Sequence, residues 1–192
     1  MALQGSIREL FGGAIVCGVP SRLDDVSPFR QIPDNQEVFS DPATDQSVIV
    51  ELLQMVEEHP NIVDAAKYHF EELANVNQSS NFTMTECVAI DAGELPILRD
   101  PLASGAMCRG YQKVSKYKEA AENTVQIYLC LLRLPTYTTD MLITLNDPVE
   151  IADESGSKEY IEEQALKNKE KSLEMFKKIV RSVEIKDPGL FQ

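Results

Sequence analysis

The sequence predicts an α+β fold in which helices flank a mainly antiparallel sheet. Residues 124–134 and 141–145 are two strand-forming stretches separated by a short turn at Pro135, and strands joined so closely pair antiparallel. Stretches with helical spacing of apolar residues lie on both sides of this region. The chain has 192 residues, 43% of them hydrophobic. We therefore expect one domain over residues 1–192, with a core that folds without a disulfide or a metal.

The N-terminal part predicts a hairpin followed by a polar connection. In residues 6–19, two apolar runs flank Gly12-Gly13, and a glycine pair in this position favours a two-residue hairpin turn. Residues 20–35 are rich in proline, aspartate and serine, a composition typical of loops. The hairpin would place the first two strands before any helix.

Two helices are predicted next. Apolar residues at 3.6-residue spacing predict the first from Asp45 or Ser47 to His59, and Pro60 would end it. Asn61 is a typical N-cap for the second. His69 borders the apolar face of that helix, so we interpret it as a core or edge residue rather than a catalyst.

Four strands are predicted in the middle of the chain. Residues 124–134 are apolar on both faces near their end, which predicts a central strand. Alternating apolar residues over 141–145 predict its partner, and weaker patterns predict strands over 83–92 and 106–117. Together they account for most of the expected sheet.

The C-terminal part predicts an acidic loop over residues 147–157 and a long helix over residues 158–183. Lysines between 167 and 178 alternate with glutamates along this helix. That mixture indicates a solvated face and argues against a nucleic-acid-binding surface.

Charge is distributed unevenly along the chain, whose net charge is −13. Residues 1–100 carry 17 acidic and 5 basic side chains, whereas residues 101–192 carry 14 and 13. Such a field repels nucleic acid and anionic lipid and would steer a basic protein toward the first half. An acidity that serves only solubility explains the charge equally well.

No apolar run is long enough to span a membrane, and no secretory signal opens the sequence. We therefore expect the protein in the cytosol, with access to the nucleus.

Catalytic and metal-binding motifs are missing from the sequence. The four cysteines, Cys17, Cys87, Cys108 and Cys130, are isolated from one another, so we predict buried free thiols rather than a zinc or redox site. Neither a nucleotide-binding glycine loop nor a hydrolase motif is present. These observations predict a protein that is not an enzyme and needs no metal or cofactor.

A rigid acidic corner is predicted at residues 32–39. Pro33 restricts the backbone, and the following Asp34-Asn35 favours a turn before an apolar strand begins at Val38. Asp34 and Glu37 would then sit at a surface corner that suits a basic partner. Solvated acids with no binding role are the alternative from the residues alone.

The sequence resembles the Ran guanine nucleotide release factors. Six stretches match the motifs of that family in order: residues 10–15, 33–39, 44–53, 68–73, 131–134 with 139–146, and 185–191. The resemblance implies an α/β/α sandwich around a twisted, mostly antiparallel six-stranded sheet, in a monomeric protein. It also implies binding of the small GTPase Ran, release of its guanine nucleotide, and a role in nuclear import in nucleus and cytoplasm.

The resemblance assigns Ran binding to Asp34 and Glu37, with Asp25 on the preceding connection as a third candidate. An adaptor that uses the same scaffold for another client, such as a membrane protein in trafficking, remains the alternative. Other Ran-binding proteins are further candidate partners.

Overall fold

The computed structural model describes residues 5–115, 122–150 and 169–191. These residues form ten strands and two α-helices. In chain order they are β1 (Gly5–Leu10), β2 (Ile15–Pro20), β3 (Asp24–Asp25), β4 (Gln36–Ser40), β5 (Ser47–Gln54), α1 (Ile62–Val76), β6 (Asn81–Ala89), β7 (Ser104–Ser115), β8 (Glu122–Leu134), β9 (Thr139–Glu150), α2 (Lys169–Arg181) and β10 (Glu184–Ile185).

The strands form two antiparallel sheets. A seven-stranded sheet has the order β3-β4-β5-β9-β8-β7-β6, and a three-stranded sheet has the order β1-β2-β10. The predicted α+β class and antiparallel pairing are confirmed, whereas the expected single six-stranded sheet is wrong. The N-terminal hairpin forms its own sheet with β10, and β3, β4 and β5 extend the large sheet on one side.

Two apolar cores cover the two faces of the large sheet. On one face, Ile15 of the small sheet and Phe176 of α2 belong to the same buried cluster as Phe39. On the other face, Phe70 of α1 packs in a cluster with Leu129 of β8. Among the described residues, the expected sandwich therefore has α1 on one face of the large sheet, and the small sheet together with α2 on the other.

Residues 47–54 form β5, so the helix predicted from Asp45 or Ser47 to His59 is wrong. β5 pairs with β4 on one side and with β9 on the other. Val48 and Val50 are completely buried against the small-sheet side, while Leu53 packs on the α1 side. Because the strand is covered on both faces, its apolar residues do not alternate and imitate a helical stripe. The β-branched run at 48–50 was the signal that favoured a strand.

The remaining helices and strands agree more closely with the sequence. Asn61 caps α1, and its side chain accepts the N–H groups of Val63 and Asp64. The predicted strands over 83–92, 106–117, 124–134 and 141–145 correspond to β6 to β9. Residues 147–150 continue β9 rather than opening a loop, and α2 ends at Arg181. The rest of the predicted acidic loop and the helix over 158–168 lie outside the described residues. Among the helices that are described, none combines the length and apolar character needed to cross a membrane.

Cys87 and Cys108 are joined by a disulfide, so the prediction of four free thiols is wrong. They are direct partners in the antiparallel β6–β7 register, although 21 positions separate them in sequence. Cysteine spacing does not reveal strand register, which is why the pair was missed. Cys17 and Cys130 are free and buried, as predicted. Burial raises the pKa of the Cys17 thiol to about 11 and raises that of Cys130 as well.

This pairing predicts the number of thiols that titrate. Protein unfolded without a reductant should react with a thiol reagent at the two free cysteines, and protein reduced beforehand should react at all four. In the folded protein the two free thiols should react slowly, because burial disfavours the reactive thiolate. Four reactive thiols in unfolded, unreduced protein would contradict the pairing.

Candidate functional site

The three predicted binding carboxylates lie on one hairpin at an edge of the large sheet. Asp25 ends β3, the edge strand, and pairs with Phe39 of β4. The connection over residues 26–35 carries Asp34, and Glu37 lies in β4. We call Asp25, Asp34 and Glu37 the acidic corner. The structure thus places on a single hairpin the residues that the sequence analysis selected.

The turn that presents Asp34 is stiffened by hydrogen bonds to its neighbours. The Gln36 N–H donates to the Pro33 carbonyl at 2.9 Å, which closes a β-turn around Asp34 and Asn35. Asn35 then clamps the turn onto β5, since its Nδ2 donates to the Leu52 carbonyl at 3.1 Å and its carbonyl accepts the Leu52 N–H at 2.9 Å. Residues around Asp34 therefore hold the turn in place.

Asp34 itself takes no part in this network. Its side chain is exposed, and among the described residues its carboxylate has neither a hydrogen bond nor an ion pair. A charged group on a fixed turn loses little conformational freedom on binding. Asp34 is therefore the carboxylate of the corner best placed to meet a partner.

Glu37 has a structural role that the sequence analysis missed. Its Oε1 accepts the N–H of Phe11 at 2.6 Å, across 26 positions of sequence. Phe11, Gly12 and Gly13 form a 3-10 turn with positive φ angles of 51°, 67° and 91°. The glycine pair is thus part of a left-handed turn held against β4 by Glu37, rather than a two-residue hairpin turn. Glycine adopts positive φ angles readily, so the Gly12-Gly13 pair was the signal in the sequence that favoured this left-handed turn.

Asp25 stabilises the start of the connection. Its two carboxylate oxygens accept the N–H of Ser27 at 2.8 Å and the hydroxyl of Ser27 at 2.9 Å. The next residue, Val26, donates its N–H to the Val38 carbonyl at 3.0 Å. Because both oxygens of Asp25 serve the loop, its direct contribution to a partner contact would be smaller than that of Asp34.

The arrangement fits binding better than catalysis. A groove of about 440 Å³ lies beside the hairpin, and its lining includes Arg30 and Val38 but none of the three carboxylates of the acidic corner. Among the described residues, no group of three or more His, Cys, Asp or Glu side chains could hold a metal ion. Asp34 is exposed on its turn, while Glu37 and Asp25 accept hydrogen bonds from Phe11 and Ser27, so the three carboxylates do not converge on the groove.

His69 is buried in the core, as predicted. Its ring is 4% exposed and its Nε2 lies 2.9 Å from Oδ2 of Asp140. Asp140 is also paired with Arg133 and is completely buried. A His–Asp pair without access to a substrate contributes to stability, so this cluster is not a second candidate site.

Comparisons with known proteins identify the family. The sequence model described as "Ran-interacting Mog1 protein" matches residues 8–148. The chain is 42% identical over 188 residues to the Ran guanine nucleotide release factor of Danio rerio, covering 96% of this chain and 98% of that protein. It is 36% identical over 182 residues to the human Ran guanine nucleotide release factor, covering 95% and 94% of the two chains.

More distant relatives agree in sequence and in structure. The nuclear import protein mog1 of Schizosaccharomyces pombe is 32% identical over 189 residues, covering 95% of this chain and 98% of that protein. The crystal structure of the Saccharomyces cerevisiae Ran-binding protein Mog1p superposes with a TM-score of 0.73 at 25% identity and covers both chains completely. The matches extend over nearly the whole chain, and the chain therefore belongs to the family of Mog1 proteins and Ran guanine nucleotide release factors.

Proposed function

We propose that this protein binds the small GTPase Ran through the acidic corner and promotes release of its bound guanine nucleotide. The observation that carries the proposal is Asp34, an exposed carboxylate on a braced turn with no partner among the described residues. Its place within the acidic half of the chain adds long-range attraction for a basic surface. Family membership supplies the identity of the partner.

The proposed mechanism is differential binding rather than covalent chemistry, so the protein is not an enzyme. A protein that prefers nucleotide-free Ran lowers the affinity of Ran for nucleotide. Because the coupling is reciprocal, bound nucleotide lowers the affinity of Ran for that protein by the same factor. Small GTPases hold nucleotide phosphates with a lysine and a magnesium ion. A carboxylate such as Asp34 would compete with the phosphates for such cationic groups.

The cellular role that follows is support of nuclear protein import, with the protein present in nucleus and cytoplasm. The relatives named as nuclear import proteins in two yeasts support this assignment. A factor that acts on a GTPase of nuclear transport needs access to both compartments.

Release of fluorescently labelled nucleotide tests the proposal directly. Ran loaded with labelled GTP or GDP should lose it faster in the presence of this protein, and the rate should rise with protein concentration until the complex saturates. Both nucleotides need to be measured, because the preference between them is a separate property. Release at the intrinsic rate for both nucleotides, at protein concentrations that saturate any binding, would refute the proposed function.

A further inference from the structure

Phe29 is an apolar side chain that folding leaves in water. It is 83% exposed, more than any other large apolar side chain among the described residues. Burying a phenylalanine normally stabilises a fold, because its large apolar surface is removed from water. This fold makes no use of that contribution from Phe29, although the completely buried Leu23 lies close in sequence.

Phe29 is exposed because the backbone holds it there. The N–H groups of Phe29 and Arg30 both donate to the Val26 carbonyl, at 2.9 and 3.2 Å. Val26 is in turn hydrogen-bonded to Val38 of β4, and the preceding Asp25 is bonded to Ser27. The exposed ring therefore stands on a hydrogen-bonded turn, so little backbone freedom would be lost when a partner covers it.

Phe29 lies in the connection that carries the acidic corner, whereas the exposed Leu102 does not. It lies within the connection over residues 26–35, between Asp25 and Asp34 of the acidic corner. Leu102, which is 65% exposed, precedes β7 near the opposite edge of the large sheet. Protein interfaces commonly combine an apolar anchor with a surrounding polar rim, and a few such anchors supply most of the binding energy. The connection over residues 26–35 carries both an exposed apolar side chain, Phe29, and an exposed carboxylate, Asp34.

We propose that Phe29 is the apolar anchor of the Ran interface, with its ring seated in an apolar pocket of Ran that is flanked by basic side chains. This inference rests on the proposed function and adds a specificity-determining residue to it. The acidic corner selects a basic surface, and Phe29 restricts the choice to basic surfaces that also carry a pocket for the ring. A basic protein without such a pocket would bind weakly.

The two kinds of contact have different kinetic signatures. A charge such as Asp34 acts over a distance, so its loss lowers the association rate and the effect fades as salt is added. An apolar anchor acts after docking, so its loss raises the dissociation rate at any salt concentration. The kinetics of Phe29 variants can therefore be separated from those of Asp34 variants.

The test is binding of nucleotide-free Ran to immobilised protein by surface plasmon resonance, with Phe29→Ala, Phe29→Leu and the control Leu102→Ala. Phe29→Ala should weaken binding about tenfold or more, mainly through faster dissociation and equally at low and high salt. Phe29→Leu should recover most of the affinity because it keeps an apolar side chain. Leu102→Ala should bind like the unsubstituted protein. Thermal unfolding should be unchanged in all three, since both positions are exposed.

Two outcomes would overturn the inference, and they are distinguishable from each other. If the unsubstituted protein binds Ran and Phe29→Ala binds within twofold of it, the anchor is wrong while the proposed function stands. If the unsubstituted protein does not bind Ran, the proposed function itself fails. In the first of these outcomes, loss of dimers of isolated Phe29→Ala in analytical ultracentrifugation would show that the ring serves contact with a second copy of this chain.

Discussion

Replacing Asp34 by lysine is expected to slow association with Ran by about tenfold or more at low ionic strength. Asp34 is exposed and its carboxylate has no partner among the described residues, so its negative charge is fully available to steer a basic partner. Reversing that charge turns attraction into repulsion at the point of contact. High salt should reduce the difference in association rate between Asp34→Lys and the unsubstituted protein, because screening weakens both the attraction by Asp34 and the repulsion by the lysine.

The matched control for this variant is Glu71→Lys. Glu71 is exposed on α1, which packs on the face of the large sheet away from the small sheet. Both variants change the net charge by the same amount, so any difference between them reports the position of the charge. Stopped-flow association and nucleotide release should be impaired by Asp34→Lys and nearly unchanged by Glu71→Lys. Equal behaviour of the two variants would remove Asp34 from the interface.

Glu37 is a less discriminating probe than Asp34, although the sequence analysis ranked them together. Glu37→Lys would remove the acceptor of the Phe11 N–H and leave a strained turn without its hydrogen bond, a loss that typically costs about 1–3 kcal/mol. Reduced binding by this variant would then mix a lost contact with a displaced turn. Asp34 has no such structural contact with the described residues, so its variants report on binding alone.

Local signals in the sequence predicted much of this fold. The N-cap Asn61 and the helical stripe after it predicted α1, and the tight turn at Pro135 predicted the pairing of β8 with β9. The Pro33-Asp34 turn was predicted from residue chemistry, because proline and aspartate favour a turn wherever they occur. Each of these features depends on residues that are near in sequence.

Features that depend on distant residues were not predictable in this way. β5 was interpreted as a helix because its burial on both faces arises only once the sheet has assembled. The Cys87–Cys108 disulfide requires the β6–β7 register. Glu37 could be selected as an acidic residue, but its bond to the Phe11 N–H spans 26 positions. Residue types thus indicated the acidic corner, whereas the division of roles within it required the tertiary structure.

The largest effect on stability is expected at Asp140. Its Oδ1 accepts from Arg133 Nε at 2.7 Å, and its Oδ2 accepts from Arg133 Nη2 at 2.8 Å and from the Val56 N–H at 3.1 Å. His69 Nε2 lies 2.9 Å from the same Oδ2. The guanidinium also donates to the His59 carbonyl at 2.6 Å. Asp140, which lies on β9, thereby joins β8, α1 and the segment between β5 and α1.

Asp140→Asn should lower the free energy of unfolding by about 3 kcal/mol or more, because it leaves the charge of Arg133 buried without a counterion. Arg133 is only 5% exposed, so water cannot compensate for the lost carboxylate. Asp64→Asn provides the control, since Asp64 forms an exposed pair with Lys67 on α1 and such pairs contribute about 0–1 kcal/mol. Urea denaturation at neutral pH measures the free energy of unfolding of both variants. Similar losses for the two variants would show that the buried pair does not stabilise the fold.

The same carboxylate predicts how stability depends on pH. Burial alone would raise the pKa of Asp140, but hydrogen bonds from Arg133, His69 and the Val56 N–H outweigh it and lower the pKa from 3.8 to about 2. A folded-state pKa below the unfolded value means that the stabilisation is complete above about pH 4 and is lost as the pH falls toward 2. This pKa shift corresponds to a stabilisation of the folded state by about 2 kcal/mol. Between about pH 6 and pH 3, the stability difference between the unsubstituted protein and Asp140→Asn should therefore narrow by about 1 kcal/mol. A difference that stays constant over this range would show that Asp140 titrates normally and that Arg133 does not hold its charge.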